Sequence, residues 1–164
     1  KNNYLRVITN AKRYIYMQSP YFIPDESFFD AIRVASLAGI DVRIMIPNKP
    51  DHMFVYWATY SYVGQLVVAG AKIYHYEKGF IHAKMIVVDD EVASVGTANI
   101  DVRSFSLNFE VNAVLYDPAL AHRLAEIFEH DILDSSELTK ELYLNRSNAV
   151  KFKESISRLL SPIL

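Results

Sequence analysis

The 164-residue chain is close to the usual size of one domain, with 51% hydrophobic and 22% charged residues and a formal net charge of -2. That balance supplies no general basic field for nucleic acid, so any phosphate binding has to come from a local cluster. The lack of cysteine excludes a disulfide framework, no apolar run reaches the roughly 18 residues of a membrane-spanning helix, and no signal-peptide pattern opens the chain.

In chain order, helical and strand signals alternate. Asn2 to Arg13 predicts a helix, and "YIYMQSP" a short strand after it. Pro20 and Pro24 punctuate "PYFIPDES", where Asp25 or Ser27 is placed to cap the helix "SFFDAIRVASLAG" that stops at Gly39. "DVRIMIP" reads as a buried strand closed by Pro47. "DHMFVYWATYSYVGQLVVAG" is the longest helical stretch, with Gly64 inside it and Gly70 at its end, and "AKIYHYE" follows as a strand. "HAKMIVVDDEVASVGTAN" and "LNFEVNAVLYD" supply three more strands. "PALAHRLAEIFEHDIL" is an amphipathic helix with Pro118 at its start, and "NAVKFKESISRLLSPIL" a last short helix. With no repeat and no linker rich in Gly, Ser or Pro, the expectation is one α/β domain over 1–164, a mixed sheet flanked by helices on both faces. The opening "KNNYLRV" has no methionine, which suits a piece cut from a longer protein as well as it suits processing.

Side chains alternate across a strand, so His82 and Lys84 are expected to project together, with Ile86 and Val88 continuing that face inward. Asp89 has the other parity, which points to a structural task such as fixing a turn at "DDE". Thr97 and Asn99 share a face of the next strand. In "LNFEVNAVLYD", Asn108, Glu110 and Asn112 alternate with Phe109, Val111 and Ala113. Folded side by side, these strands gather an imidazole, an ammonium, a hydroxyl, carboxamides and a carboxylate.

That set suits phosphoryl chemistry without a metal. An ammonium and a carboxamide can hold non-bridging oxygens and offset the charge that builds in the transition state. An imidazole can serve as nucleophile or as acid and base near neutral pH, and a carboxylate such as Glu110 can fix its tautomer. A divalent metal site calls for more carboxylates or a second histidine, and none is near in sequence.

His82-x-Lys84-x4-Asp89, followed after six residues by Gly96-Thr97-x-Asn99, resembles the HKD signature of the phospholipase D superfamily. "GFIHAKMIVVDDEVASVGTANIDVRSFSLNFEVNAVLYD", "SPYFIPDE", "AGIDVRIMIP" and "RLLSPIL" extend the likeness to the C-terminal half of bacterial cardiolipin synthases. The resemblance implies two HKD motifs facing one active site, the second coming from an N-terminal half of the full-length protein or from a homodimer mate. It implies transfer of a phosphatidyl group between two phosphatidylglycerol molecules, giving cardiolipin and glycerol through a phosphohistidine, with no cofactor and no metal. It makes His82 a catalytic histidine and, since the N-terminal histidine of duplicated members is usually the nucleophile, gives it the general acid/base role. Lys84, Asn99 and Thr97 fall at phosphate-binding positions, and Glu110 at the acidic position that orients the histidine. Asp89, Gly96, Asp101 and Arg103 are read as structural parts of the motif, the last two as a polar pair. The implied partners are phosphatidylglycerol or another anionic phospholipid, with no nucleic acid. The implied place is the bacterial cytoplasmic membrane for the full-length protein, this segment being soluble or peripheral.

Other features are less specific. Tyr21 and Phe22 either rim a lipid entrance or pack inside, and His52 belongs either to a cap region or to the site's rim. The aromatics of "MFVYWATYSYV" read as helix core, while His75, His122 and His130 read as surface or strand-edge residues. Two alternatives stay open: a homodimeric phospholipase D-like nuclease or phosphodiesterase, disfavoured by the mild acidity, and a non-catalytic anion-binding domain.

Overall fold

Strand alternation divides the core into two layers. The computed structural model describes residues 1–49 and 51–160. Its sheet is built from β1 (Tyr14–Gln18), β3 (Asp41–Pro47), β4 (Lys72–Tyr76), β5 (Met85–Val88), β6 (Val92–Gly96), β8 (Asn112–Leu115) and β9 (Ser135–Glu137). They lie in the order β8-β6-β5-β1-β3-β4-β9. The β1, β3 and β4 neighbours are parallel and the remaining pairs antiparallel, so the sheet is mixed. A second, two-stranded pairing joins β2 (Phe22–Ile23) to β7 (Ile100–Asp101).

One face buries Ile15, Met17, Ile44, Ile73 and Ile86 with the inner residues of α1 (Asn2–Thr9), α2 (Glu26–Leu37) and α3 (Met53–Ala69). The other buries Tyr16, Met45, Tyr74 and Val87 against Ala121, Ala125 and Phe128 of α5 (Pro118–Ile132). Each fully buried Ile, Val, Met or Phe side chain among these contributes about 1.5–3 kcal/mol. Helices on both faces of a mixed sheet are what the sequence led us to expect.

Local chemistry sets the boundaries. Asp25 caps α2 by accepting the Phe28 N–H at 2.9 Å, and Asp117 caps α5 by accepting the N–H groups of Ala119 and Leu120. Gly70 ends α3 at a φ of 106°, in the left-handed region that glycine enters without strain. Gly64 stands inside α3 because the Tyr143 ring of α6 (Lys140–Leu144) lies against it. A Cβ there would sit 1.9 Å from that ring.

Three expectations need correction. The first helix stops at Thr9 rather than Arg13, because the amides of Lys12, Arg13 and Tyr14 are claimed by the Asp89 carboxylate. The strand expected over "LNFEVNAVLYD" shrinks to β8, since the short helix α4 (Val102–Ser106) ends in a turn in which the N–H groups of Leu107 and Asn108 bond to the Arg103 carbonyl. His75 is buried at 8% exposure, stacked on Tyr60. Burial pushes its pKa below the ordinary imidazole value. Beyond these, β9 and α6 fold from a stretch that the sequence pattern left unassigned. The final helix, α7, runs Asn148–Leu160, and the last four positions of the expected tail helix, 161–164, lie outside the described residues.

Candidate active site

The hairpin of β5 and β6 carries the site, and Asp89 anchors it. Asp89 and Asp90 both take φ of 57°, a left-handed turn that Asp tolerates better than most residues. The buried Asp89 carboxylate receives three backbone N–H groups, from Lys12 at 2.7 Å, Arg13 at 2.9 Å and Tyr14 at 2.8 Å. Its side chain is thus committed to fixing the turn against the start of β1.

His82 and Lys84 precede β5, which begins at Met85. His82 is exposed, and its ring makes no hydrogen bond among the described residues. Its ring neighbour is Phe80, with centroids 5.9 Å apart. The Lys84 ammonium folds back to donate to the His82 carbonyl at 2.8 Å. Partial burial lowers the Lys84 pKa, and the carboxylates of Glu110 and Asp101 work against that shift.

Across from Lys84, whose carbonyl accepts the Gly96 N–H at 3.2 Å, Gly96 lies so close to β8 that a Cβ would come within 2.2 Å of the Val111 carbonyl oxygen. Thr97 continues that pairing: its N–H donates to the Val111 carbonyl, and its hydroxyl oxygen accepts the Val111 N–H, both at 3.0 Å. The Thr97 hydroxyl also donates a short hydrogen bond to Glu110. Asn108 at 3.1 Å and Ser104 at 3.3 Å donate to the second Glu110 oxygen. These donors, the Thr97 hydroxyl foremost, hold the Glu110 carboxyl below the ordinary glutamate range, with the Lys84 charge assisting. No hydrogen bond joins Glu110 to the His82 ring among the described residues.

Asn99 presents the clearest opening for a ligand. Its N–H donates to the Ser104 hydroxyl at 3.2 Å, yet its side-chain oxygen is buried with no hydrogen-bond partner among the described residues. A buried polar atom left unpaired costs about 1–3 kcal/mol, so such atoms mark places where something else completes the bonding. Turning the carboxamide over would present N–H groups at the same point. Asn99 lines a cavity of about 260 Å³ shared with Tyr21, His52, Asp101, Arg103 and Asn108. The Asp101 carboxylate caps α4 through the Ser104 N–H at 2.6 Å, and no ion pair links it to Arg103 among the described residues. Tyr21 donates a short hydrogen bond to Asp51, and burial with that carboxylate raises its pKa to about 12. Phe22 beside it is fully buried, so of the "PYFIP" aromatics only Tyr21 reaches the rim.

A family model described as "Cardiolipin synthase, PLD-like domain" matches residues 4–132. The chain belongs to this phospholipase D-like family. Among curated relatives, it is 65% identical to the major cardiolipin synthase ClsA of Bacillus subtilis and 61% identical to the cardiolipin synthase of Listeria monocytogenes. Both likenesses extend over the whole chain but over 34% of each relative, so the chain spans about a third of their length. The phospholipase D fold is also that of Nuc from Salmonella typhimurium, with TM-score 0.73, 23% identity, and 84% of this chain and 90% of that one covered. Phosphatidylserine synthase from Haemophilus influenzae gives TM-score 0.74 at 16% identity, covering 97% of this chain and 41% of that one. No helix among the described residues is long and apolar enough to cross a membrane.

Sequence reasoning did not single out Ser104, whose buried hydroxyl bridges the Asn99 N–H and Glu110. The spacing Asp101-x-x-Ser104, a helix-capping pattern, was the available signal. Asn112, placed by alternation on the polar face, is used in bracing: it accepts the Ala98 N–H at 3.1 Å and donates to the Tyr4 hydroxyl at 2.6 Å.

Proposed function

We propose that this chain acts as one phospholipase D-like domain supplying half of a phosphatidyl-transfer centre, moving a phosphatidyl group between two phosphatidylglycerol molecules to form cardiolipin and glycerol. The observation that carries the proposal is the unpartnered Asn99 carboxamide. It lines a cavity with Asp101, whose charge is also felt by the half-buried Lys84 ammonium. Lys84 and Asn99 bind the non-bridging phosphate oxygens and offset their charge as it grows. Thr97 acts chiefly by fixing Glu110, and Glu110 holds the Lys84 side of the site electrostatically. In this reading the orientation of His82 by Glu110 is completed only when substrate or the second half is present.

The second half supplies the nucleophilic histidine. Its ring nitrogen forms a bond to phosphorus as the phosphorus–oxygen bond to the leaving glycerol breaks, and His82 gives the departing alkoxide a proton. His82 then takes a proton from the hydroxyl of the second phosphatidylglycerol, whose oxygen attacks phosphorus and releases the histidine. Support for a missing half comes from Leu107, Phe109 and Val111, large apolar side chains exposed around Glu110. The catalytic assembly is expected to work at a membrane, since both substrates are lipids.

Gel filtration of the 164-residue chain, with assays on phosphatidylglycerol and on DNA, tests the proposal. An inactive chain that gains phosphatidyl transfer when the remainder of the longer protein is added supports it. A homodimer that cleaves DNA overturns it in favour of a nuclease, and anion binding without turnover in any combination reduces the chain to a binding domain.

A further inference from the structure

Helix α7 is mounted in reverse. Glu154 and Ser157 point inward at 3% and 1% exposure, with Glu154 paired to Arg146 at 2.8 Å. Phe152 at 66% and Leu159 at 81%, with Ile156 between them, face outward. That spacing of i, i+4 and i+7 is the apolar stripe a soluble helix normally buries. Beside it, the first turns of α3 leave Met53 and Phe54 more than half exposed. Met53, Phe54, Trp57, Phe152 and Ile156 line an apolar groove of about 260 Å³. The Lys153 ammonium stands 5.2 Å from the centre of the Trp57 ring, and Lys151 is exposed on the same helix.

We infer that the α3–α7 face docks on the surface of an anionic phospholipid bilayer, with Phe54 and Phe152 entering the acyl region and Lys151 and Lys153 meeting the headgroup charge. Apolar and aromatic side chains flanked by ammonium groups form the pattern that binds such an interface. Position supports the same occupant. His52 and Val55 line the Asn99 cavity, while Met53, Phe54 and Trp57 on the adjoining side of the helix line the groove. A phospholipid whose phosphate sits in that cavity has acyl chains that must stay in the bilayer, so the bilayer has to meet the cavity's rim. The choice of lipid as occupant rests on the phosphatidyl-transfer reading above.

Trp57 is the chain's single tryptophan and reports on the groove directly. Phosphatidylcholine vesicles with and without phosphatidylglycerol are the probes, with a matched set brominated in the acyl chains. On vesicles containing phosphatidylglycerol, Trp57 emission is expected to shift to the blue and to be quenched by the brominated chains. Phe54→Ser and Phe152→Ser, both on exposed side chains, are each expected to weaken vesicle binding about tenfold. Lys151→Gln and Lys153→Gln are each expected to cost about fivefold, on the anionic vesicles alone. No Trp57 response at saturating vesicles overturns the inference, as does binding indifferent to all four substitutions. A blue shift that follows protein concentration without vesicles also overturns it, and assigns the face to a second copy. Docking without turnover in the reconstituted assay leaves this surface standing and removes the transferase reading. Turnover with a silent Trp57 removes the surface alone.

Discussion

Replacing Asp89 separates structural from chemical roles within the motif, because its carboxylate oxygens divide their work unequally. One oxygen accepts the N–H groups of Arg13 and Tyr14, and the other accepts that of Lys12. Asp89→Ala removes all three hydrogen bonds and leaves part-buried amides unpaired. It also places alanine at a φ of 57°, which costs on the order of 1 kcal/mol more than at Asp. Hydrogen bonds to a charged group contribute about 1.5–3 kcal/mol each, reduced where water can re-enter. The expected loss is therefore about 4–5 kcal/mol, a large share of the roughly 5–15 kcal/mol that holds a domain folded. Asp89→Asn keeps the turn preference and can keep its oxygen on Arg13 and Tyr14, turning its N–H2 toward the Lys12 amide. About 2 kcal/mol is expected there. Urea unfolding followed by Trp57 fluorescence measures both, with an unchanged slope showing that the unfolding transition is the same. If both variants stay within about 1 kcal/mol of the parent, or if Asn is as damaging as Ala, the anchoring role assigned to Asp89 is wrong.

Gly96→Ala drives a methyl into the Val111 carbonyl and should cost about 3 kcal/mol or more in the same unfolding assay; a neutral result would mean that β6 and β8 do not approach as closely as described. Thr97→Val removes the strongest influence holding the Glu110 carboxyl low, so its titration, followed by side-chain carboxyl NMR, should move up toward the ordinary range. An unmoved titration would contradict the hydrogen bond. His75 has a folded pKa depressed by burial, so the unfolded chain binds the extra proton first. Stability contributed by the neutral ring is complete above the unfolded value of 6.5, falls as pH drops below it, and levels off once pH is under the folded pKa. His75→Phe should flatten the urea midpoint against pH over that window, and an unchanged slope would show the ring to be solvated.

Legibility followed the length of the periodic signal. In β1 and β3, alternation assigns successive residues to opposite faces, and the structure buries Ile15 and Ile44 on one side and Tyr16 and Met45 on the other. The cap at Asp25 and the stops at Gly39 and Gly70 were equally readable, since each depends on one residue's own chemistry. Where a few residues switch between turn and strand, counting failed. Parity treated 107–117 as one strand, but the Asp101 cap draws 102–106 into helix, so Asn108 reaches Glu110 from a turn. Two-residue strands such as β2 and β7 have no period to read, and their pairing belongs to tertiary structure. The same limit hid His75. The strand pattern of "AKIYHYE" does not reveal that Tyr60, fifteen residues earlier, covers the ring. At the site, the spacing of His82, Lys84, Gly96, Thr97 and Asn99 was visible. The hydroxyl bridge at Ser104 needed the fold, as did the choice of the rim for Tyr21 and His52, which the sequence had left open.

The most direct test of the phosphatidyl-transfer proposal is cardiolipin formation from phosphatidylglycerol by the longer protein carrying His82→Ala. Because His82 is exposed and makes no ring hydrogen bond among the described residues, the variant should unfold at the same urea concentration as the parent. Loss of a general acid/base group is expected to lower turnover by about 10²–10⁴-fold at unchanged stability. Turnover within a fewfold of the parent would contradict the assignment of the site.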